Sequence, residues 1–187
     1  MRLEGLFDRY GSDKANNGHA HRYHEDYERL VPRDTTKLVE LGLGSHIGFD
    51  GSWGSPKAWL EWLDGGEYVG FDIVEPPKDL LKRMTFVKGD CGSREDLERL
   101  AEAIGECDVI IDDASHIAEH QRLAFDVLWP CVRPGGYYIV EDLYIHGSAI
   151  EMRDSNHCID VVGKGLAAVL KKPEATGASS NQLRRGR

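Results

Sequence analysis

Two apolar segments of this sequence end in pairs of carboxylates, and a histidine follows one of the pairs. In the segment IIDDASH, an aliphatic run stops at Asp112 and Asp113, and His116 comes three residues later. A second apolar run, YYIV, stops at Glu141 and Asp142. Charged carboxylates are costly to bury unless a partner compensates them. The residue types therefore raise the question of which cation stands among them.

Asp113, Glu141 and Asp142 predict a site for a divalent cation. If the two segments are neighbouring parallel strands, their ends lie about 5 Å apart and the three acids converge. Such carboxylates repel one another. A bound Mg²⁺ or Mn²⁺, which prefers oxygen ligands, removes the repulsion. We therefore predict these three acids as metal ligands.

His116 is the candidate catalytic base. It follows Asp113 by about one helical turn, so both side chains can face the same pocket. A metal ion lowers the pKa of a hydroxyl group bound to it, and an imidazole titrates in the range that suits it to take the proton. The alternative is that Asp113 caps the following helix and His116 is a surface histidine.

A glycine-rich segment, ELGLGSHIG, predicts a small-molecule site at the end of the first strand. Glycines there let a ligand approach the backbone closely. The spacing is GxGxxxG rather than the GxGxxG of dinucleotide sites, and Glu40 ahead of it favours a ligand with a positive end. Asp72 and Asp90 end the next two strands, where Asp72 can bind ribose hydroxyls and Asp90 can lie near an adenine. The predicted cofactor-binding residues are Glu40, Gly42, Gly44, Asp72, Asp90 and Asp112.

Apolar segments that alternate with helical ones position these residues. Unbroken apolar runs, typical of strands buried on both faces of a parallel sheet, occur in TKLVELGLG, EYVGFDI, MTFVKGDC, CDVIIDD and YYIVEDL. SREDLERLAEAIG is an amphipathic helix capped by Ser93. The order predicts an α/β fold with a Rossmann-like, doubly wound, mostly parallel sheet, whose ligands bind at the carboxyl ends of the strands.

The C-terminal part of the sequence departs from this pattern. Residues 158–172, CIDVVGKGLAAVLKK, predict one more helix, so the last two strands of such a sheet are missing or altered. We predict a single domain over residues 1–172, in which residues 1–35 form a lead-in that closes over the site, and a disordered tail over 173–187. A sheet that stopped at its fifth strand would expose a bare edge, which predicts a homo-oligomer.

The overall composition excludes some classes of partner. The 187 residues carry a formal net charge of −9, which argues against binding to nucleic acid or to an anionic membrane. No signal peptide and no apolar run of membrane length is visible, and the four cysteines form no CxxC pair. We expect a cytoplasmic protein with a small-molecule partner.

Several of these motifs resemble those of a known family. ELGLG, GFDI, KGDC, IIDDASH and PGGYYIVEDL are similar to the successive motifs of class I S-adenosylmethionine-dependent methyltransferases. The opening YGSDKANNGHAHRYHEDYERL and the insertion GFDGSWGSPKAWLEWL narrow the resemblance to metal-dependent macrolide-sugar O-methyltransferases of the mycinamicin and tylosin type. The resemblance covers about residues 7–145.

The resemblance implies a function and a set of roles. It implies S-adenosylmethionine and Mg²⁺ (or Mn²⁺) as cofactors, and methyl transfer to a hydroxyl group of a glycosylated or polyol acceptor. It assigns Asp113, Glu141 and Asp142 as metal ligands and His116 as base, the same roles that the residue types predict. The chain departs from the family's usual third glycine, carrying His46 in the glycine motif.

Two other functions remain open from the sequence. One is a catalytically inactive cofactor-binding or scaffold protein of the same fold, which the missing final strands favour. The other is a nicotinamide-dependent oxidoreductase on a Rossmann sheet. Glu40 and the spacing of the glycines disfavour the oxidoreductase.

Overall fold

A single mixed sheet organises the part of the chain that the structure describes. The structure is a computed structural model, and it describes residues 1–16, 22–44, 53–142, 158–162 and 167–174. The strands are β1 (Lys37–Leu41), β2 (Glu67–Asp72), β3 (Thr85–Lys88), β4 (Cys107–Asp112), β5 (Val132–Val140), β6 (Cys158–Val162) and β7 (Ala167–Lys171). Their order in the sheet is β3-β2-β1-β4-β5-β7-β6. The first five are parallel, which confirms the predicted doubly wound α/β fold.

Helices cover both faces of this sheet. Ser93 caps the longest amphipathic helix as the sequence predicts, its Oγ accepting a hydrogen bond from Asp96 N at 3.3 Å. None of the described helices is long and apolar enough to cross a membrane. The helices are α1 (Leu3–Tyr10), α2 (His24–Leu30), α3 (Gly54–Trp62), α4 (Lys78–Leu81), α5 (Arg94–Ile104) and α6 (Ala118–Leu128), with a 3₁₀ turn at Trp129–Cys131.

The described part of the lead-in is packed into the core on one face of the sheet. Phe7 of α1 and Tyr27 of α2 both pack edge-on against Trp59 of α3, with ring centroids 5.2 and 5.5 Å apart. All three rings are buried, and burial of each contributes roughly 1.5–3 kcal/mol. On the opposite face, α6 packs Phe125 against Tyr138 of β5 at 5.2 Å. The aromatic cluster therefore fixes the lead-in next to the strands that carry the predicted site.

The final pair of strands is present, and the prediction of a helix over residues 158–172 is wrong. β7 pairs antiparallel with β5, setting Tyr137 opposite Lys171, and β6 pairs with β7 outside it. Two five-residue strands are too short to show a clear period, and the composition of AAVLK favours a helix by propensity alone. Pairing with β5 overrides that preference. The predicted disordered tail lies, after Glu174, outside the described residues.

This pair of strands also changes two other expectations. β7 covers the edge of β5 on which the prediction of a homo-oligomer rests, so that prediction loses its argument and stays untested. The case for an inactive scaffold rested on the same missing strands. The sheet has the full seven-stranded order, so the fold supplies no reason to expect an inactive protein.

Asp108 fastens the amino-terminal end of the sheet, away from the predicted site. Its carboxylate accepts hydrogen bonds from the backbone nitrogens of Thr36 at 2.8 Å and Lys37 at 2.7 Å, and from the guanidinium of Arg133. Burial by itself would raise the pKa of Asp108, but these donors lower it below its ordinary value. The ionised carboxylate therefore stabilises the junction between β1 and β4.

The carboxyl ends of β1, β4 and β5 lie side by side, as the metal prediction requires. The backbone nitrogen of Asp113 donates to Leu41 O at 2.9 Å, and that of Glu141 donates to Asp112 O at 2.9 Å. Gly42 follows β1 with φ +80°, and a Cβ atom there would lie 2.1 Å from the carbonyl oxygen of Asp113. Only glycine fits this close approach, which sets Asp113 against the end of β1.

Candidate functional site

Two acids and the histidine converge at the ends of β4 and β5. One carboxylate oxygen each of Asp113 and Asp142 and a ring nitrogen of His116 all lie within 4.8 Å of one another. His116 Nε2 is 3.6 Å from Asp142 Oδ2 and 4.0 Å from Asp113 Oδ1. The structure thus brings together residues that are up to 29 positions apart in the sequence.

A lysine from the lead-in lies among these acids. Lys14 Nζ, which is 1% exposed, is 2.5 Å from Asp113 Oδ2 and 2.8 Å from both carboxylate oxygens of Glu141. Burial by itself would lower the pKa of the ammonium group, but the surrounding carboxylates raise it well above its ordinary value. Lys14 is therefore charged. Glu40 Oε1 also lies 3.8 Å from this ammonium group, so one positive charge faces the carboxylates of Asp113, Glu141 and Glu40, and Asp142 adds a further acid to the cluster.

Two tyrosines of the lead-in hold the acids from the same side. Tyr27 donates its hydroxyl to Glu141 Oε1, and Tyr23 donates to Asp142 Oδ1 at 3.0 Å. Burial raises the pKa of both phenols, so they remain protonated donors. Burial also raises the pKa of Glu141 well above its ordinary value, and the charge of Asp113 adds to the effect. The acids are therefore held in place while their negative charge remains only partly compensated.

His116 and Asp142 both have an unusual backbone conformation. Each has φ +55°, a left-handed conformation that costs a non-glycine residue about 1–3 kcal/mol and is concentrated at functional sites. α6 begins at Ala118, so His116 reaches Asp113 from a loop and not through the helical turn of the prediction. Its Nδ1 atom is buried and lacks a hydrogen-bond partner within the described residues. Such atoms are rare in folded proteins.

The donor set fits a divalent cation. The oxygens of an octahedral Mg²⁺ site, at 2.0–2.1 Å from the ion, lie roughly 3 Å apart. Modest rotations of Asp113 and Asp142 would bring their oxygens from within 4.8 Å to that spacing. The formal charge left after Lys14 is the charge that such an ion neutralises. Glu141 is outside this group of converging atoms, because Lys14 and Tyr27 hold its oxygens.

A cavity of about 420 Å³ opens beside the acids, at the ends of β1, β2 and β3. Its size is that of a small-molecule pocket. The carboxylate of Asp72 is held at its wall by the backbone nitrogens of Leu43 at 2.8 Å and Val74 at 2.9 Å. The predicted site residues that line this cavity are Gly42, Gly44, Asp72, Asp90, Asp113 and His116.

A second cavity, of about 90 Å³, lies against the same cluster. Lys14 and Asp142 line it, together with residues 11–13 of the lead-in. Asp113 and His116 line both cavities. These two side chains therefore stand between two spaces, one of which has the volume of a small-molecule pocket.

Glu40 and Asp112 lie outside the walls of both cavities. The buried carboxylate of Glu40 accepts hydrogen bonds from the hydroxyls of Ser55 and Tyr68, so it joins β1 to α3 and β2. Asp112 is 1% exposed, and burial raises its pKa to about 7. The geometry gives both residues contacts within the protein interior. His46 of the glycine motif lies outside the described residues.

An oxidoreductase on this sheet would be expected to carry a catalytic pair such as Tyr-x-x-x-Lys, and the residues with that spacing in the lead-in do not form one. Tyr10 and Lys14 are spaced as Tyr-x-x-x-Lys, the spacing of a catalytic pair in some dehydrogenases. The hydroxyl of Tyr10 donates to Glu61 at 2.5 Å on the surface, whereas Lys14 is buried against Asp113 and Glu141. The two side chains therefore contact different parts of the protein and form no catalytic pair.

Comparisons with known proteins give relatives for most of the chain. No protein-family model matches it. The 8-demethyl-8-alpha-L-rhamnosyl tetracenomycin-C 2'-O-methyltransferase of Streptomyces olivaceus is 38% identical over 144 residues, covering 75% of this chain and 37% of that protein. The mycinamicin VI 2''-O-methyltransferase of Micromonospora griseorubida is 34% identical over 126 residues, covering 67% and 31%. The chain thus spans about a third of the length of these relatives.

A solved structure matches over the whole chain. The MycE methyltransferase in complex with Mg, SAH and mycinamycin VI aligns with a TM-score of 0.80 and 25% sequence identity. The alignment covers 100% of this chain and 57% of that chain. The chain therefore shares the overall fold of that methyltransferase.

Proposed function

We propose that this chain transfers a methyl group from S-adenosylmethionine to a hydroxyl group of a sugar or similar polyol. The chain has the class I methyltransferase fold, and its homologues are sugar O-methyltransferases of natural-product pathways. The transfer requires a divalent cation, Mg²⁺ or Mn²⁺. The observation that carries the proposal is the position of Asp113 and His116 between the two cavities.

The larger cavity suits the cofactor. Bound S-adenosylmethionine supplies an electrophilic methyl group. The backbone nitrogens of Leu43 and Val74 hold the Asp72 carboxylate at the wall of this cavity, and we assign it to the ribose hydroxyls. Gly44 has φ +86° and open space where a Cβ would lie, so its backbone is accessible to the ligand. Asp90, farther along the wall, is placed for the adenine. The complex of MycE with SAH supports this assignment.

The acidic cluster suits the acceptor hydroxyl. Asp113 and Asp142 would hold the divalent cation, which would supply a lowered pKa of that hydroxyl. His116 Nε2 takes its proton, and the carboxylates at 3.6 and 4.0 Å stabilise the imidazolium that results. Glu141 can join the ligands only when Lys14 leaves its carboxylate, so in the present arrangement it completes the acidic wall behind the site.

The acceptor class follows from the relatives and from the smaller cavity. The relatives are named for a rhamnosyl tetracenomycin and for mycinamicin VI, and MycE is solved with Mg and mycinamycin VI. A glycosylated or polyol acceptor entering beside Lys14 would bring a hydroxyl to Asp113 and His116. The acidic net charge supports the absence of a nucleic-acid partner. A cytoplasmic location is part of the proposal. The homo-oligomer remains a prediction without structural support.

Methyl transfer to mycinamicin VI and to a rhamnosylated tetracenomycin tests the proposal. His116→Ala is expected to lower turnover by about 10²–10⁴-fold, the usual loss on removal of a general base. Calorimetry should show unchanged affinity of that variant for S-adenosylhomocysteine. Asp113→Asn should lose both Mg²⁺ binding and turnover.

A matched acid outside the site provides the control. Asp126 lies on α6 in an exposed ion pair with Arg122, so Asp126→Asn should keep wild-type turnover. Wild-type turnover by His116→Ala would contradict the mechanism. A chain that binds S-adenosylhomocysteine and Mg²⁺ but methylates neither acceptor would contradict the assigned activity, and tight binding of NADH would favour the oxidoreductase instead.

A further inference from the structure

A second cluster of metal-binding side chains lies on the wall of the larger cavity, apart from the acids. Asp90 and Cys91 follow β3 after one intervening residue, Gly89, and His120 is the third residue of α6. One ligand atom of each lies within 4.8 Å of the others. Asp90 and Cys91 also line the 420 Å³ cavity. The mechanism proposed above uses neither the thiol of Cys91 nor the imidazole of His120.

The contacts around His120 bring its imidazole to the thiol. Cys91 Sγ is 3.9 Å from His120 Nδ1, and Ser115 Oγ is 3.0 Å from the same nitrogen. A Cβ atom on Gly92 would lie 2.7 Å from His120 Nε2. The imidazole therefore rests on the bare backbone of Gly92, and a larger residue there would displace it from Cys91.

The donor types suit a different ion from the one expected at the acids. A tetrahedral ion with bonds of 2.0–2.3 Å separates its ligands by roughly 3.3–3.8 Å, close to the 3.9 Å between sulfur and nitrogen. A sulfur, a nitrogen and one carboxylate are ligands for Zn²⁺ and similar ions, whereas Mg²⁺ takes oxygen ligands. Among the described residues three protein ligands converge, which leaves a fourth position of a tetrahedral ion for another ligand. Because Asp90 and Cys91 line the larger cavity, an ion held by them would lie at its wall.

We propose that Asp90, Cys91 and His120 form a second metal site, which takes an ion of the zinc class and, when filled, obstructs the cofactor cavity. The thiol of Cys91 loses its proton to solvent as the metal–sulfur bond forms. The obstruction rests on the proposed function, because it requires the cofactor to occupy this cavity. The metal site itself does not.

Titration of the full chain with Cd²⁺ in the presence of Mg²⁺ tests the site directly. Binding should produce the ultraviolet charge-transfer band of a cadmium thiolate, with a stoichiometry of one. Cys91→Ser should abolish the band. His120→Gln should weaken Cd²⁺ binding at least about tenfold, since even loss of an outer partner of a metal ligand costs 10–100-fold.

Two control variants and one competition experiment complete the design. Cys131→Ser removes another free thiol and should keep the band, and Asp113→Asn should keep it while losing Mg²⁺ binding. Cd²⁺ should weaken binding of S-adenosylhomocysteine to the wild type but not to Cys91→Ser. A band that survives in Cys91→Ser, or tight Cd²⁺ binding by His120→Gln, would overturn the site. Unchanged affinity for S-adenosylhomocysteine with Cd²⁺ bound would overturn the obstruction, and no affinity for it without Cd²⁺ would instead count against the proposed function.

Discussion

Replacement of Lys14 by methionine removes a buried positive charge from the acidic cluster while keeping an unbranched stem that ends at the Cε position. The ammonium group contacts Asp113 at 2.5 Å and Glu141 at 2.8 Å, and it is 1% exposed. Removing one partner of a buried ion pair leaves an uncompensated charge and costs about 3–5 kcal/mol. Since a domain of this size is stable by only about 5–15 kcal/mol, Lys14→Met should lose a large part of its stability without metal.

Urea unfolding in EDTA and in Mg²⁺ measures this effect. In EDTA, Lys14→Met should be less stable than the wild type by about 3–5 kcal/mol. Mg²⁺ should stabilise the variant more than the wild type, because the ion then supplies the charge that Lys14 supplied. An ion present at 100 times its dissociation constant contributes about 2.7 kcal/mol, so much of the loss should be recovered.

Lys37→Met is the matched control. Lys37 pairs with Glu67 at 3.3 Å, but their side chains are 24% and 44% exposed, and such a pair contributes about 1 kcal/mol or less. Because Lys37→Met leaves Asp113 and Asp142 untouched, its gain in stability from Mg²⁺ should equal that of the wild type. If Lys14→Met lost no more stability than Lys37→Met, or gained no more from Mg²⁺ than the wild type, Lys14 would not be the counter-charge of these acids.

Three further predictions follow from the cofactor wall, the glycine turn and the far end of the sheet. Asp72→Ala should weaken S-adenosylhomocysteine binding by about 1.5–3 kcal/mol in calorimetry, the scale of a lost hydrogen bond to a charged group. Gly42→Ala should be far more destabilising in thermal unfolding than Gly65→Ala, because both have positive φ but only the first places a Cβ against backbone, 2.1 Å from the Asp113 carbonyl. Asp108→Asn should cost about 1.5–3 kcal/mol at pH 7. Since the folded pKa of Asp108 is lowered, that stability is present above its unfolded pKa, and the difference from wild type in urea unfolding should vanish as the pH falls through the folded pKa.

The sequence predicted the parts of the fold that repeat a strong local pattern. Buried strands such as β4 are mostly apolar and end in acids at one edge of the sheet, which is why the sequence predicts that Asp113, Glu141 and Asp142 converge there. The converging atoms belong to Asp113, Asp142 and His116, while Glu141 is outside that group and His116 comes from a loop rather than from a helical turn. The final strands could not be inferred, because five residues of AAVLK carry a helical propensity that only pairing with β5 overrides.

Contacts between residues distant in the sequence place two further side chains. Lys14 lies 99 positions from Asp113, and the residue types alone do not predict it among the acids, because a divalent metal supplies the needed positive charge equally well. Glu40 ends a strand like the other acids, but its carboxylate points to Ser55 and Tyr68 in the interior. Strand position predicts which edge a residue reaches, whereas the side to which its side chain turns depends on partners from other elements.

A crystal structure of the chain with S-adenosylhomocysteine and Mn²⁺, with an anomalous difference map at the manganese edge, tests the central claim most directly. We expect one strong peak within coordination distance of Asp113 and Asp142, with His116 beside it and the cofactor product in the larger cavity. S-adenosylhomocysteine bound in that cavity, with no peak at these acids and Lys14 still 2.5 Å from Asp113, would contradict a metal-dependent mechanism.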